Sequence, residues 1–287
     1  MSQITAEARF DAYSPKEMAS RVETVGVGKA NLNFLAKGTL ALLAGVFIAF
    51  GAMFFTLVVH DSKLPFGLTQ LIGGLSFCLG LILVVVGGAE LFTGNNLLVM
   101  AYVSRKIRLY QVLENWVIVY IGNFIGAVSM ALWVYLARQW TANNYLVGAK
   151  ALLIANAKVG LAFEVAFARG VLCNALVCLA VWLCMSGRTT SDKILSILFP
   201  ITAFVALGFE HSVANMYFIP IGLLLKKEQA VLDAATLMAG KAPDLTNLTM
   251  SGLLMKNLLP VTLGNIIGGG VLVGLVYWFV YLRGRKE

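Results

Sequence analysis

Gly208-Phe209-Glu210-His211-Ser212-Val213-Ala214-Asn215 interrupts an apolar stretch that is continuous on either side of it, over 194–209 and 216–225. A helix needs about 20 apolar residues to cross a bilayer core. Neither flank reaches that length, so the two flanks and the polar insert read together as one broken crossing. Irregular backbone at membrane depth is tolerated only where protein or a water-filled cavity satisfies its polar groups. A second stretch, Gly88-Ala89-Glu90-Leu91-Phe92-Thr93-Gly94-Asn95, carries Gly, Glu and Asn at the same spacing and closes the apolar run 68–89.

The composition agrees with membrane residence. Hydrophobic residues make up 59% of the 287, charged residues 13%, and the mean hydropathy is +0.83. A soluble domain carries about 25% charge, so this chain lacks the polar surface that water requires. Disorder needs low hydrophobicity and is excluded too. Further runs at 40–59, 112–137, 159–185 and 253–282 bring the expected crossings to six, the second and fifth broken. The fourth run contains Glu164 and Arg169. Lys and Arg number 13 on the side of the termini and 8 on the other. That bias predicts both termini in the cytoplasm. The net charge of +8 is therefore an orientation signal, with no nucleic-acid partner implied. The first 37 residues are polar and mixed in charge and do not read as a signal peptide. Cys78, Cys173, Cys178 and Cys184 lie in apolar runs and read as packing residues.

The two halves of the chain resemble each other. Gly122-Asn123-Phe124-Ile125-Gly126 matches Gly264-Asn265-Ile266-Ile267-Gly268, and more weakly Gly45-Val46 matches Gly170-Val171. The matches keep their order, so spans 1–3 resemble spans 4–6. After three crossings the chain is on the opposite side, so the second copy is expected to run inverted. Inverted repeats with matched helix breaks build transporters whose sites lie near the midplane. The expected fold is an all-α polytopic membrane protein of two inverted three-helix repeats. Its parts are a cytoplasmic segment 1–37, a channel domain 38–283 with halves at about 38–138 and 158–283, and a cytoplasmic tail 284–287.

His211 falls in the second break. An ionisable group at that depth is costly and usually functional, and imidazole is the side chain suited to changing charge near neutral pH. The alternative is a structural histidine bonded to backbone. Glu90 and Glu210, with Asn95 and Asn215, read as structural groups at the breaks, the carboxylates accepting backbone N–H bonds; the other reading makes the pair titrating ligands. On this alignment Leu91 stands opposite His211 and Ala49 opposite Asn174, which leaves one polar centre, His211 with Asn174. Phe77, Leu81, Leu91, Phe92 and Phe204 could form apolar constrictions. Lys158 either draws anions into a vestibule or snorkels at a helix end. The Gly-x3-Gly pairs read as close helix contacts, and His60 as an interfacial residue.

Glu90-Leu91-Phe92-Thr93-Gly94-Asn95, Gly208-Phe209-Glu210-His211-Ser212-Val213-Ala214-Asn215-Met216 and Val261-Thr262-Leu263-Gly264-Asn265-Ile266-Ile267-Gly268-Gly269 resemble the formate/nitrite transporter family from about Ser14 to Leu282. Pro65-Phe66-Gly67 and Val177-Cys178-Leu179-Ala180-Val181-Trp182 are most similar to its formate channels. The resemblance implies an aquaporin-like fold and a homopentamer in a bacterial inner membrane, moving small monovalent anions: formate first, then acetate, nitrite or hydrosulfide. It implies that His211 is the pore histidine, Asn174 its polar neighbour and Thr93 part of a mobile loop. It places Leu81, Leu91 and Phe92 at a cytoplasmic constriction, Phe77 and Phe204 in an aromatic lining, and Lys158 in the outer vestibule. It makes 6–37 a gating helix. Two departures stand out. Val159-Gly160-Leu161 after Lys158 lacks the histidines common there, and Arg169-Gly170-Val171-Leu172-Cys173-Asn174 looks more like nitrite or hydrosulfide branches. The reading is thus a pH-dependent formate channel with proton coupling through His211, or alternatively a nitrite or hydrosulfide channel. No metal quartet, cofactor motif or nucleophile-base set supports an enzyme.

Overall fold

The computed structural model describes residues 12–284. The expected N-terminal segment before residue 12 and the tail after 284 lie outside the described residues. Everything regular among the described residues is helical.

Helix α1 (Pro15–Ala30) starts where Ser14 and Glu17 cap each other's backbone N–H groups and Pro15 opens the first turn. Helix α2 (Phe34–Val59) starts where Asn33 Oδ1 accepts the Ala36 N–H at 2.8 Å. Helix α3 (Phe66–Gly87) ends on Gly88, whose φ of +81° only glycine adopts cheaply. Two short helices, α4 (Phe92–Asn95) and α5 (Leu98–Val103), follow the break. Then come α6 (Leu109–Leu136), a 3₁₀ turn at Gln139–Thr141, α7 (Leu146–Val159) and α8 (Phe163–Cys184). Helix α9 (Thr190–Ala206) ends before Gly208, whose φ is +69°. Helix α10 (Ser212–Leu225), α11 (Gln229–Ala239) and α12 (Gly252–Tyr281, with two π-helical stretches) complete the fold.

Helices α2, α3, α6, α8 and α12 are 22 to 30 residues long and apolar enough to cross a membrane. Their outward faces leave large side chains such as Phe66, Trp133 and Val280 at least 60% exposed, as lipid contact requires. The protein is a multi-pass membrane protein. The remaining expected crossing, the fifth, falls on α9 and α10, of 17 and 14 residues.

Helix α6 packs on α2, and α12 on α8, through glycine. A Cβ at Gly126 would stand 2.1 Å from the Leu42 carbonyl oxygen, and one at Gly268 2.0 Å from that of Val171. Only glycine admits those approaches, so the Gly-x3-Gly pairs are contact surfaces as the sequence suggested.

Three expectations need correction. Helix α7 fills a region the apolar count left as a loop. The helix after the second break resumes at Ser212, four residues before the apolar run at Met216, because its first turn is capped by a side chain. The register between the first and fourth spans slips by one turn. Asn123 Nδ2 donates to the Ala41 carbonyl and Asn265 Nδ2 to that of Gly170. Ala41, not Gly45, thus corresponds to Gly170, and Gly45, not Ala49, corresponds to Asn174.

Candidate functional site

Each helix break needs partners for backbone groups that no helix satisfies. One asparagine of the facing helix supplies them. On α6, Asn123 Oδ1 accepts the Phe92 N–H at 2.9 Å, and its Nδ2 donates to the Glu90 carbonyl at 2.9 Å. On α12, Asn265 Oδ1 accepts the Ser212 N–H at 3.0 Å, and its Nδ2 donates to the Glu210 carbonyl at 3.0 Å.

A second bonded set lies beside each break. Lys29 Nζ meets Glu90 Oε1 at 2.7 Å, and Asn95 Nδ2 donates to Glu90 Oε2 at 2.7 Å and Asn115 Oδ1 at 2.9 Å. Lys158 Nζ meets Glu210 Oε1 at 2.9 Å, and Asn215 Nδ2 donates to Glu210 Oε2 and Asn257 Oδ1, both at 2.7 Å. Asn115 and Asn257 in turn donate to the carbonyls of Lys29 and Lys158. The two carboxylates therefore bond lysine and asparagine side chains, where the sequence reading had them accept backbone N–H groups. Lys158 borders a cavity as one partner of an ion pair.

At the centre the breaks touch. His211 Nδ1 accepts the Ala214 N–H at 3.1 Å and so caps α10. That bond requires a bare Nδ1, so Nε2 carries the proton of the neutral ring and donates to Thr93 Oγ1 at 3.0 Å. The ring is also stacked on Phe204 at 5.9 Å, and Phe204 meets Phe77 edge-on at 5.6 Å. His211 and Thr93 are 3% and 0% exposed.

Asn174 makes no hydrogen bond to His211. Its Nδ2 lies 3.2 Å from the Thr93 carbonyl, and 2.7 Å from both Asn96 Oδ1 and the Asn265 carbonyl. The Cys178 thiol adds a donor to the Thr93 carbonyl at 3.3 Å. Asn174 thus holds the first break in place and reaches His211 only through Thr93.

Two cavities approach this centre from opposite halves of α3. The first, about 320 Å³, is bordered by Gln70 and Phe77 of α3 and by His211. The second, about 360 Å³, is bordered by Leu81, Val84 and Leu91. The first carries the basic side chains Lys150, Lys158 and Arg169 against the carboxylate of Glu210. The second carries Arg21, Lys29 and Lys193 against that of Glu90. Each cavity therefore has three basic side chains to one carboxylate. Burial lowers the ammonium pKa of Lys150, which lies on α7 between the long helices.

Phe77 and Phe204 border the first cavity, and Leu81 and Leu91 the second. Phe92 departs from that set: its ring packs edge-on against Trp116 and Tyr120 at 6.1 and 4.9 Å. Sequence reasoning missed Lys29, Asn115 and Asn257. A signal was present, because Asn115 and Asn257 each stand eight residues before the matched Asn123 and Asn265. Among the described residues no group of three His, Cys, Asp or Glu is placed to hold a metal.

The sequence profile of the formate/nitrite transporters matches residues 16–279. The chain is 42% identical over 281 residues to the formate channel FocA of Escherichia coli (strain K12), covering 98% of each. It is 38% identical over 272 residues to FocA of Haemophilus influenzae (strain ATCC 51907 / DSM 11121 / KW20 / Rd), covering 92% and 93%. Among solved structures it resembles a pentameric formate channel with formate bound, with a TM-score of 0.79 at 39% identity over 87% of this chain and 98% of that one.

Proposed function

The chain belongs to the formate/nitrite transporter family, a family of transporters and not enzymes, and we propose that it is a pH-dependent formate channel with proton coupling through His211. One observation carries the reading: of two cation-rich cavities, one is bordered by His211 and the other by Leu91 and Gly94, on either side of Thr93 in the chain, and His211 and Thr93 form a buried, hydrogen-bonded pair. On this reading the fold is aquaporin-like. It has six crossings in two inverted three-helix repeats at about 38–138 and 158–283, with α9 and α10 forming one crossing. The channel is a homopentamer in a bacterial inner membrane with both termini in the cytoplasm. Residues 1–37 form the cytoplasmic segment and 284–287 the tail. Identity to FocA channels and likeness to a pentameric channel holding formate support the substrate and the assembly.

Moving an unpaired carboxylate into a medium of low dielectric costs on the order of tens of kcal/mol by Born estimates. The cations at each mouth concentrate the anion and offset part of that cost. Phe77 with Phe204, and Leu81 with Leu91, then oppose the charged form and admit neutral formic acid. A neutral His211 cannot give up its Nε2 proton without becoming an imidazolate. Its Nδ1 must first take a proton, and there the Ala214 N–H now donates. Proton coupling therefore requires the α10 cap to open: Nδ1 gains a proton, Nε2 gives one to formate, and the ring ends neutral. Asn174, by fixing the Thr93 carbonyl, sets where the Nε2 partner stands. Acetate, nitrite and hydrosulfide would use the same route, and Arg169 in the cavity bordered by His211 suits nitrite or hydrosulfide as the alternative main substrate.

Proteoliposomes with an inward formate gradient at mildly acidic external pH test the reading. Internal acidification faster than in protein-free liposomes is expected, and competition with nitrite or hydrosulfide ranks the substrates. Asparagine caps helices well, so His211→Asn keeps the cap and removes the titratable ring. Coupling that survives this substitution overturns the role of His211.

A further inference from the structure

A cavity of about 710 Å³ lies outside both vestibules, between α1, the turn after α5, and the end of α12. Glu23, Ser104, Arg105, Lys106, Trp278 and Arg283 border it. Glu23 is 3% exposed, and its carboxylate receives Lys106 Nζ at 2.5 Å, so that pair is close to neutral. The ion pairs among the described residues leave the guanidinium groups of Arg105 and Arg283 uncompensated. Trp278 Nε1 donates to Ser104 Oγ at 3.0 Å, which fixes one wall and leaves the serine proton free for another acceptor. Arg105 sits at φ +61°, a backbone strained for a residue with a Cβ. The turn is held there by the bonds from Arg105 N–H to Tyr102 O and from Lys106 N–H to Ala101 O.

We propose that this cavity binds the phosphodiester headgroup of an acidic phospholipid. Guanidinium forks match phosphate oxygens in pairs, and basic pockets between membrane helices hold anionic headgroups. The apolar surroundings select a lipid over a free phosphate. Val276, Phe279 and Val280 on the last turns of α12 are 50%, 56% and 61% exposed, a strip along which an acyl chain can lie. Arg283 stands 4.7 Å over the Phe279 ring, so one residue joins the polar pocket to that strip. A tryptophan at this level is where interfacial aromatics gather. The pocket is on the side of the cavity that Leu81 and Leu91 border, since α1 borders both.

The full chain in detergent is titrated with dihexanoyl phosphatidylglycerol, dihexanoyl phosphatidylcholine and inorganic phosphate, and bound lipid is counted by native mass spectrometry. Phosphatidylglycerol is expected to bind and phosphatidylcholine not to compete. Arg105→Asn, which tolerates the backbone, combined with Arg283→Gln should weaken phosphatidylglycerol about 30-fold, and Arg283→Gln alone about fivefold. Lipid-free thermal stability and formate flux should stay unchanged in both variants. Equal binding of phosphatidylcholine, or unchanged phosphatidylglycerol binding in both variants, overturns the proposal. Displacement by inorganic phosphate at equal concentration assigns the pocket to free phosphate and overturns the lipid.

Discussion

The two helix breaks make the same bonds and differ in what stands at their tips. Each has a glutamate bonded to a lysine and an asparagine, and each has a facing asparagine that closes the backbone. At the first break, Leu91 precedes α4 with no side-chain cap. At the second, His211 caps α10 with its own ring. The first span has Gly45 and Leu40 where the fourth has Asn174 and Arg169. The shared bonds answer a need common to both breaks: polar backbone in a medium without water must find partners inside the protein. Chemistry that could distinguish one solute from another sits where the two sets part.

The comparison breaks most readily at the ion pairs. Glu90 and Glu210 are 4% exposed, so removing either lysine leaves a buried charge. Lys29→Met and Lys158→Met should each lower unfolding stability in detergent by about 3 kcal/mol. Markedly unequal losses would show that one pair is only local. The facing asparagines come next. Asn123→Ala and Asn265→Ala each remove three buried hydrogen bonds to backbone and should cost about 2–3 kcal/mol, again alike in the two halves, as thermal unfolding would report. Gly88→Ala and Gly208→Ala force an alanine into a left-handed backbone and should cost about 1–2 kcal/mol each. The smallest effect on stability sharpens the contrast most. His211→Leu makes the second tip resemble the first and should lose only about 1 kcal/mol of capping. Formate-driven acidification of liposomes should nevertheless disappear in that variant, while Leu91→Ala retains it.

Much of the site was legible in the sequence. Gly-x-Glu-x4-Asn marked both breaks, because glycine, acid and amide are conspicuous in apolar runs. The Gly-x3-Gly pairs marked the helix contacts for the same reason. What failed was alignment inside uniformly apolar helices. Gly45-Val46 looked like Gly170-Val171, yet only the carbonyls that Asn123 and Asn265 select reveal the true register, one turn away. Asn174 was grouped with His211 because each stood where the aligned half is apolar, and the family resemblance made it the polar neighbour. Its bonds go instead to Thr93, Asn96 and Asn265. Phe92 was placed with the constriction as an apolar residue and by the family resemblance; its ring lies against α6, because successive side chains leave a helix start in different directions.

Composition and hydropathy by themselves determined that the chain lives in a membrane, since a surface with 13% charge cannot face water. Repeated polar motifs determined where its helices break. The tertiary structure alone decided which groups meet across those breaks. Lys29 and Glu90 are 61 positions apart in the chain, and Thr93 and His211 are 118 apart. A hydrogen bond depends on distances of about 3 Å, and spacing along the chain does not encode such distances between helices that pack from opposite halves.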